Sequence, residues 1–328
     1  MRVGVAFALI FAASTAVAAE KKVNEYSPPY QMPPAQIEPD APAPEPGGPP
    51  PDEAFGAYQR GYFITALRDA TARVAANSKD AAAMTLIGEI YRDGLAVKLN
   101  MEEAARWYRL ASALGDPQAA FQLGVMQVDG APGVPKDVEA AKAQFAKAAL
   151  SGHAGALYNL GVLALEGGAD HKPDFAKAAE YFRRAYDAGD ANAAYSYGVM
   201  LREGKGVPKD VPEAVKWLKR AADAGIIAGQ VEYAIMLFNG VGVPSDEGGA
   251  AKIFALAAAR RNPIAQNRLA HLYAAGRGVP KDIVQAALWN SFAKAAGLDD
   301  PGLDSQIGPL NAADNARLTD LIRRQAQF

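Results

Sequence analysis

Small and apolar side chains recur along most of the chain with a period of 36 or 37 residues. In each period a large apolar or aromatic residue stands just before a small one, and an alanine or glycine stands five positions before that small residue. The small residue of this marker occurs six times, as Gly88, Gly124, Gly161, Gly198, Ala234 and Ala270. Spacings of four and five place such side chains on one helical face. The pattern therefore predicts six helices that a neighbouring helix can approach closely.

A second helix is predicted in each period from alanines and bulky residues at fixed offsets, as at Ala214 and Trp217. The loop between the two helices is nearly identical in three periods: residues 204–210 read GKGVPKD, 240–246 read GVGVPSD and 276–282 read GRGVPKD. A glycine-rich loop with lysine before a helix can bind phosphate, but here a helix precedes the loop and the string recurs. We therefore interpret the loop as a folding feature.

All six loops end on an aspartate or asparagine, which predicts a cap for the second helix. Such a side chain accepts a hydrogen bond from an unpaired amide at the helix start and contributes about 1 kcal/mol. The predicted caps are Asn100, Asp137, Asp174, Asp210, Asp246 and Asp282.

A pair of helices of this length cannot bury its own apolar faces, whereas stacked copies can, so the pattern predicts a solenoid over residues 53–297. Residues 53–80 contain two helical runs that we expect to cap its N-terminal end. Residues 298–328 are expected to begin with an irregular segment rich in proline and glycine, and to end in a helix after Asn311 that covers the last repeat. The predicted repeats are residues 81–116, 117–153, 154–190, 191–226, 227–262 and 263–297.

The order of these motifs resembles the Sel1-like repeat, a relative of the tetratricopeptide repeat. The motifs are Ala-x-x-x-Leu-Gly in the first helix, Gly-x-Gly-Val-x-x-Asp in the loop and Ala-x-x-Trp-x-x-x-Ala-Ala in the second helix. The resemblance covers residues 81–297, with Ala234 and Ala270 in place of the glycine and a divergent loop at 167–174. It implies an all-α, right-handed α/α superhelical solenoid of six helix-turn-helix repeats with N- and C-terminal capping helices.

The start of the sequence is typical of an exported protein. Arg2 precedes residues 3–17, which carry no charge, and a small-x-small cleavage site ends at Ala18 or, one residue on, at Ala19. Residues 1–19 are therefore predicted to be a signal peptide. The uncharged run is short for a membrane span, which needs about 20 residues, although an uncleaved anchor is the alternative. We expect no integral membrane segment after cleavage.

Residues 20–52 differ sharply in composition from the repeats. Eleven of the 22 prolines of the chain lie between positions 28 and 51, a density that favours extended chain over helix or sheet. We predict a disordered Pro-rich linker, which is either a spacer or a docking strip for a partner. With the predicted signal peptide it indicates the periplasm, and secretion or the cell surface is the alternative.

Composition excludes several classes of function. The 328 residues include no Cys and three His, and the formal net charge is −2. Absence of Cys excludes disulfides, zinc ribbons, iron–sulfur clusters and thiolate nucleophiles. The near-neutral charge argues against nucleic-acid binding through phosphate neutralisation. The three histidines lack metal-ligand spacing, so no metal, cofactor or catalytic residue is predicted.

The resemblance implies that the first helix of each repeat lines a partner groove, with side chains three positions before and one after the small marker. These positions carry an aromatic and aliphatic set in the central repeats: Phe121, Val125, Tyr158, Val162, Tyr195, Val199 and Ile235. A groove of this composition suits an extended or helical peptide. The alternative is that these side chains pack against each other inside a tightly coiled superhelix.

The sequence therefore predicts a non-catalytic interaction scaffold or adaptor of the bacterial cell envelope that binds a protein or peptide and possesses no cofactor. Regulation of an envelope signalling or assembly complex is the role that the resemblance implies. One alternative is a secreted or surface factor that engages host proteins. Another is a hydrolase or peptidoglycan-modifying enzyme on a helical scaffold, which would require two facing carboxylates in a deep pocket.

Overall fold

A computed structural model describes residues 52–167 and 172–325, and these ranges contain sixteen α-helices. Their contacts divide the chain into two compact units, with the boundary in the sequence between Ala148 and Ala149. The predicted signal peptide and all of the predicted linker before Asp52 lie outside the described residues.

The first unit holds α1 (Glu53–Gln59), α2 (Phe63–Ala76), α3 (Ala81–Asp93), α4 (Met101–Ala113), α5 (Pro117–Asp129) and all but the last two residues of α6 (Val138–Leu150). Helices α1 to α5 each pack against the next. Helices α1 and α2 correspond to the two runs predicted to cap the first repeat.

The second unit holds α7 (Ala154–Glu166), α8 (Phe175–Asp187), α9 (Ala191–Glu203), α10 (Val211–Asp223), α11 (Ile227–Asn239), α12 (Glu247–Ala259), α13 (Pro263–Ala275), α14 (Ile283–Ala295), α15 (Pro301–Ile307) and α16 (Ala312–Gln325). Consecutive helices from α7 to α14 pack against each other, α15 contacts α13 and α14, and α16 contacts α14. Both units are therefore built from helix pairs, each with a first and a second helix.

The small marker residue lies where the two helices of one repeat come closest. A Cβ atom added to Gly161 would lie 2.7 Å from the ring of Phe182, which is fully buried. A Cβ added to Gly88 in the first unit would lie at the same distance from the ring of Tyr108. Because real Cβ atoms do not approach a ring so closely, only glycine allows this packing without a shift of the second helix.

The second glycine of the repeated loop is required for a different reason. Gly206 has a φ of +73°, and a Cβ there would lie 2.0 Å from the carbonyl oxygen of Phe175, at the start of the preceding repeat's second helix. A Cβ added to Gly278 would likewise lie 2.2 Å from the carbonyl oxygen of Glu247. The loop therefore joins neighbouring repeats by a backbone contact that excludes any side chain.

All six predicted cap side chains accept a hydrogen bond from a backbone N–H of the helix that follows. The donors are the amides of Glu103, Ala140, Lys177, Glu213, Gly249 and, for Asp282, both Val284 and Gln285, at distances of 2.7 to 3.0 Å. First helices are capped in the same manner by Asp80, Asp116, Asp190, Asn262 and the Nδ1 atom of His153. None of these caps of the first helices was predicted.

The segment after the last repeat differs from the prediction. It was expected to be irregular, but it contains α15, a short helix that begins at Pro301. Asp300 caps this helix by accepting from the amide of Leu303 at 3.0 Å, and proline in the first turn removes an N–H that has no helical partner. Helix α16 follows, and the Oδ1 atom of Asn311 accepts from the amide of Asp314 at 2.9 Å.

Candidate functional site

Two of the predicted groove residues lie on α5 in the first unit. Phe121 and Val125 are both half-buried. The Phe121 ring lies 6.0 Å from the ring of Phe145, on the second helix of the same repeat. One side of Phe121 therefore packs inside its own repeat, and part of its surface remains accessible.

The other five predicted groove residues lie in the second unit, on α7, α9 and α11. Tyr158, Val162, Tyr195 and Ile235 are half-buried. Val199 is only 2% exposed, so the prediction that it faces a partner is wrong. Helix α9 packs against both α8 and α10, and this short branched side chain is covered.

The two tyrosines pack against buried residues of their own repeats, and Tyr158 also forms a hydrogen bond. The Tyr158 ring lies 5.4 Å from that of Phe182, and its hydroxyl is hydrogen-bonded to Ser196; burial raises the pKa of Tyr158. Burial, together with the Glu232 carboxylate, raises the pKa of Tyr195 to about 12. Both phenols therefore remain protonated at neutral pH and are suited to hydrogen bonding rather than to proton transfer.

The charges beside these tyrosines neutralise one another. The Arg202 guanidinium forms an ion pair with Glu232, which belongs to the next repeat, and a longer one of 3.4 Å with Glu203. Lys205 pairs with Glu203 at 2.8 Å. This part of the surface formed by α7, α9 and α11 therefore presents apolar side chains next to a network of ion pairs.

A pocket of about 320 Å³ lies further along the second unit, between α11, α13 and α15. We call it the basic pocket. Its lining includes the predicted residue Ile235, with Phe238, Arg268, His271 and Arg277. None of its ten lining residues is acidic. Sequence reasoning placed Ile235 on the partner surface but missed Phe238 and Arg268, because neither occupies a position that the repeat pattern singles out.

Ion pairs and ring contacts hold two of the three basic side chains in place. The guanidinium carbon of Arg277 lies 4.3 Å from the centre of the Phe238 ring, and the same group pairs with Glu247. The Nε2 atom of His271 lies 2.8 Å from the Oδ2 atom of Asp300. Hydrogen bonds from Asn267, the amide of Leu303 and His271 hold the pKa of Asp300 well below its usual range.

A smaller pocket of about 210 Å³ in the first unit has the opposite charge. We call it the acidic pocket. It is lined by Thr85, Glu89, Asp116 and Gln118, together with Asp52 and three apolar residues, and no lining residue is basic. Burial raises the pKa of Glu89, whose carboxylate accepts a hydrogen bond of 3.2 Å from the Gln118 amide.

Neither a metal centre nor a membrane span is found in the described ranges. Across residues 52–167 and 172–325, no three side chains of His, Asp or Glu come close enough to share a metal ion. Among the helices of the same ranges, none combines the length and apolar character needed to cross a bilayer.

The model of the Sel1 repeat matches six consecutive segments of the chain: residues 81–116, 117–153, 154–190, 191–226, 227–262 and 263–298. The chain belongs to the Sel1 repeat family. The resemblance drawn from the sequence motifs is thereby confirmed, and so is the predicted all-α superhelical repeat fold. The matched segments coincide with the predicted repeats, except that the last ends at 298 instead of 297. Repeats of this type commonly form protein-interaction scaffolds and are typically non-catalytic.

Two solved structures illustrate this similarity. A Sel1 repeat protein from Oxalobacter formigenes is 28% identical, with a TM-score of 0.64 over 73% of this chain and 94% of that protein. A protective antigen of uropathogenic Escherichia coli strains, described as having an SLR fold, is 23% identical, with a TM-score of 0.72 over 84% of this chain but only 61% of the antigen. The second similarity shows the fold alone. No curated protein matches the chain.

Proposed function

We propose that this Sel1 repeat protein is a non-catalytic scaffold of the bacterial cell envelope that binds a protein or peptide partner on the surface of its first helices. The observation that carries the proposal is the state of the aromatic and aliphatic side chains on α7, α9 and α11. Tyr158 packs against Phe182 of its own repeat and Tyr195 packs against the buried cluster that includes Trp217 of its own repeat. Both keep part of their surface accessible, as does Ile235. Such pre-ordered apolar side chains lose little entropy when a partner covers them.

The surrounding charges favour a binding surface over a catalytic one. Arg202, Glu203, Lys205 and Glu232 satisfy each other in ion pairs. The pKa values of Tyr158 and Tyr195 are raised, so neither phenol is prepared to act as a base. An apolar surface beside a neutralised polar border is the arrangement expected of a protein interface.

The cell-envelope location rests on the predicted signal peptide at residues 1–19 and the Pro-rich linker that follows it. Fractionation of producing cells into cytoplasm, periplasm, membrane and medium tests this part directly. We expect the processed chain in the periplasmic fraction. Recovery mainly in the medium or at the cell surface would favour the alternative of a host-interaction factor.

The binding surface is tested by comparing two single substitutions in the full mature chain. Ile235→Ser changes a first-helix position, whereas the matched control Leu256→Ser changes a 59% exposed leucine on the second helix α12. Chemical crosslinking in a periplasmic extract, followed by recovery of the chain, measures partner capture. We expect Ile235→Ser to reduce capture about tenfold while the chain remains folded at the temperature of the assay, and Leu256→Ser to have no effect.

Equal capture by both variants and the unchanged protein would show that α11 does not contact the partner. Loss of capture in Leu256→Ser alone would move the interface to the second helices. In either case the proposed binding surface would be rejected, whatever partner is recovered.

A further inference from the structure

We propose that the basic pocket of the second unit binds a partner peptide through an acidic side chain that stands next to a large apolar residue. This inference rests on the proposed function, because the pocket includes Ile235 and continues the surface of α11. It adds the chemical class of the partner segment, which the repeat fold does not determine.

The charge of the pocket is the first argument. Arg268 projects from α13, is exposed, and makes neither an ion pair nor a hydrogen bond with any described residue. Arg277 and His271 are directed by acidic groups outside the lining, Glu247 and Asp300 respectively. The pocket therefore presents one uncompensated guanidinium, and the complementary group is a carboxylate that can accept two parallel hydrogen bonds from it.

The apolar floor is the second argument. Ile235, Phe238 and Leu272 lie beside Arg268, and Phe254 closes the pocket from the second helix α12. The volume of about 320 Å³ is at the low end of the range of roughly 300–1,000 Å³ for ligand pockets. It suits one or two side chains of a peptide, with the apolar one against the floor and the acidic one at Arg268.

The rigidity of the pocket is the third argument. The Arg277 guanidinium stacks on Phe238 and is held by Glu247, so this part of the wall is ordered before a ligand arrives. His271 is fixed by Asp300, which itself accepts from the Nδ2 atom of Asn267 at 2.9 Å. A pre-ordered wall of this kind discriminates between side chains, because it does not reshape around a poorly fitting one.

The test is a selection of peptides from a random library displayed on phage, with the full mature chain immobilised. Three variants are run in parallel: Arg268→Glu, Arg268→Lys and the control Arg109→Glu. Arg109 is another exposed helical arginine, on α4 of the first unit, that makes no ion pair with a described residue. Because neither arginine has a partner to lose, all three variants should keep the melting temperature of the unchanged protein.

We expect the selected peptides to share an Asp or Glu next to Leu, Ile or Phe. Arg268→Glu should weaken their binding about tenfold or more, Arg268→Lys by less, and Arg109→Glu not at all. Binding to the unchanged chain should also weaken as salt is added, since Arg268 is exposed.

Selected peptides without an acidic residue, or with binding that Arg268→Glu leaves unchanged, would overturn this inference while the proposed function stands. Failure to enrich any peptide over an empty surface would overturn the inference and count against the proposed peptide-binding function as well.

Discussion

The acidic pocket of the first unit and the basic pocket of the second are built on the same position of the repeat, yet their charges are opposite. Glu89 follows the marker Gly88 by one residue, and His271 follows the marker Ala270 by one residue. Each contacts a side chain 29 residues further along, Gln118 for Glu89 and Asp300 for His271. The two pockets therefore use equivalent positions of the repeat, while the charge of their lining residues is opposite.

The comparison separates two kinds of position in a helical repeat. The markers, the loop glycines and the caps are determined by close contacts with backbone or buried rings, and few other residues fit there. At Glu89 and His271 the first-helix position after the marker is half-buried and lines a pocket, whereas Val199 at the same position is covered. Where this position is accessible, its residue can change without loss of the repeat structure. Ligand preference is expected to reside in positions of this second kind.

The largest effect on the free energy of unfolding is expected at Gly206, where the loop contacts the neighbouring repeat. In Gly206→Ala, a Cβ would lie 2.0 Å from the Phe175 carbonyl oxygen, and the φ of +73° adds strain. We expect a loss of about 2 kcal/mol or more in the free energy of unfolding, measured by chemical denaturation. Gly152→Ala is the matched control, with the same φ of +73° but no atom within 4 Å of the added Cβ, and should cost about 1 kcal/mol. Equal losses would show that strain alone, and not the contact, limits the position.

The contact between the two helices of one repeat, at the marker glycine, should affect the free energy of unfolding equally in both units. Helix propensity favours alanine over glycine by about 1 kcal/mol, but a Cβ at Gly88 or Gly161 would lie 2.7 Å from a buried ring. We expect the overlap to dominate, so that Gly88→Ala and Gly161→Ala each lower the unfolding free energy by about 1 to 2 kcal/mol. The control Gly56→Ala meets only the end of the Arg60 side chain and should be neutral or stabilising. A gain in stability at Gly88 or Gly161 would refute the proposed role of the marker.

A third loss of stability is expected from substitution of Asp300, which lies in the second unit. Asp300→Ala removes the cap of α15 and leaves the buried Asn267 amide without its acceptor, so we expect a loss of about 1 to 2 kcal/mol in unfolding free energy. Asp299→Ala, at an exposed neighbour with one ion pair of 3.6 Å, should cost less than about 0.5 kcal/mol. Equal costs would mean that Asp300 has no special part in holding α15.

The pH dependence of the same variant follows from the lowered pKa of Asp300. A carboxyl with a lowered pKa stabilises the fold above its ordinary value of 3.8, and this contribution is lost as the pH falls through the lowered pKa. The difference between Asp300→Ala and the unchanged protein should therefore be constant near neutrality and shrink in strong acid. Denaturation curves at several pH values measure it.

The smallest effect on stability is expected from substitution of Glu89. It should be a gain at neutral pH, whereas the substitutions above lower the stability. Burial raises the pKa of Glu89, so its carboxyl favours the fold below the ordinary value of 4.5, and this contribution is lost as the pH rises through the raised pKa. Glu89→Gln keeps an acceptor for Gln118 and should stabilise the protein at neutral pH by less than about 1 kcal/mol. The gain should vanish below the ordinary pKa, and a gain that persists there would have another cause than the charge.

Local rules allowed much of the repeat structure to be predicted from the sequence. The six caps depend on residues within a few positions of one another, and the period of the markers determined the repeat boundaries. The close contact of Gly206 with Phe175, by contrast, joins two neighbouring repeats and does not follow from local sequence. Helix α15 was missed because Pro301 and Gly302 suggested an irregular segment, whereas Asp300 supplies a cap that starts a short helix. The contacts of Asp300 with Asn267 and His271 could not be foreseen from local sequence.

The candidate site was predictable only in part. Tyr158, Tyr195 and Ile235 are accessible on one side, but Val199 is covered by helix packing that the repeat offset does not reveal. The basic pocket depends on Phe238, Arg268 and Arg277 meeting from different elements. A sequence pattern within a single helix does not predict which residues of different helices lie next to each other.

Site-specific photo-crosslinking in producing cells tests the central claim most directly. A photoreactive amino acid is placed at Asn239, an exposed lining residue of the basic pocket on α11, or at the exposed Leu256 on α12. The account predicts a discrete crosslinked partner from position 239 and none from position 256. No product at 239, or the same products from both positions, would contradict the claim that the first-helix surface binds the partner.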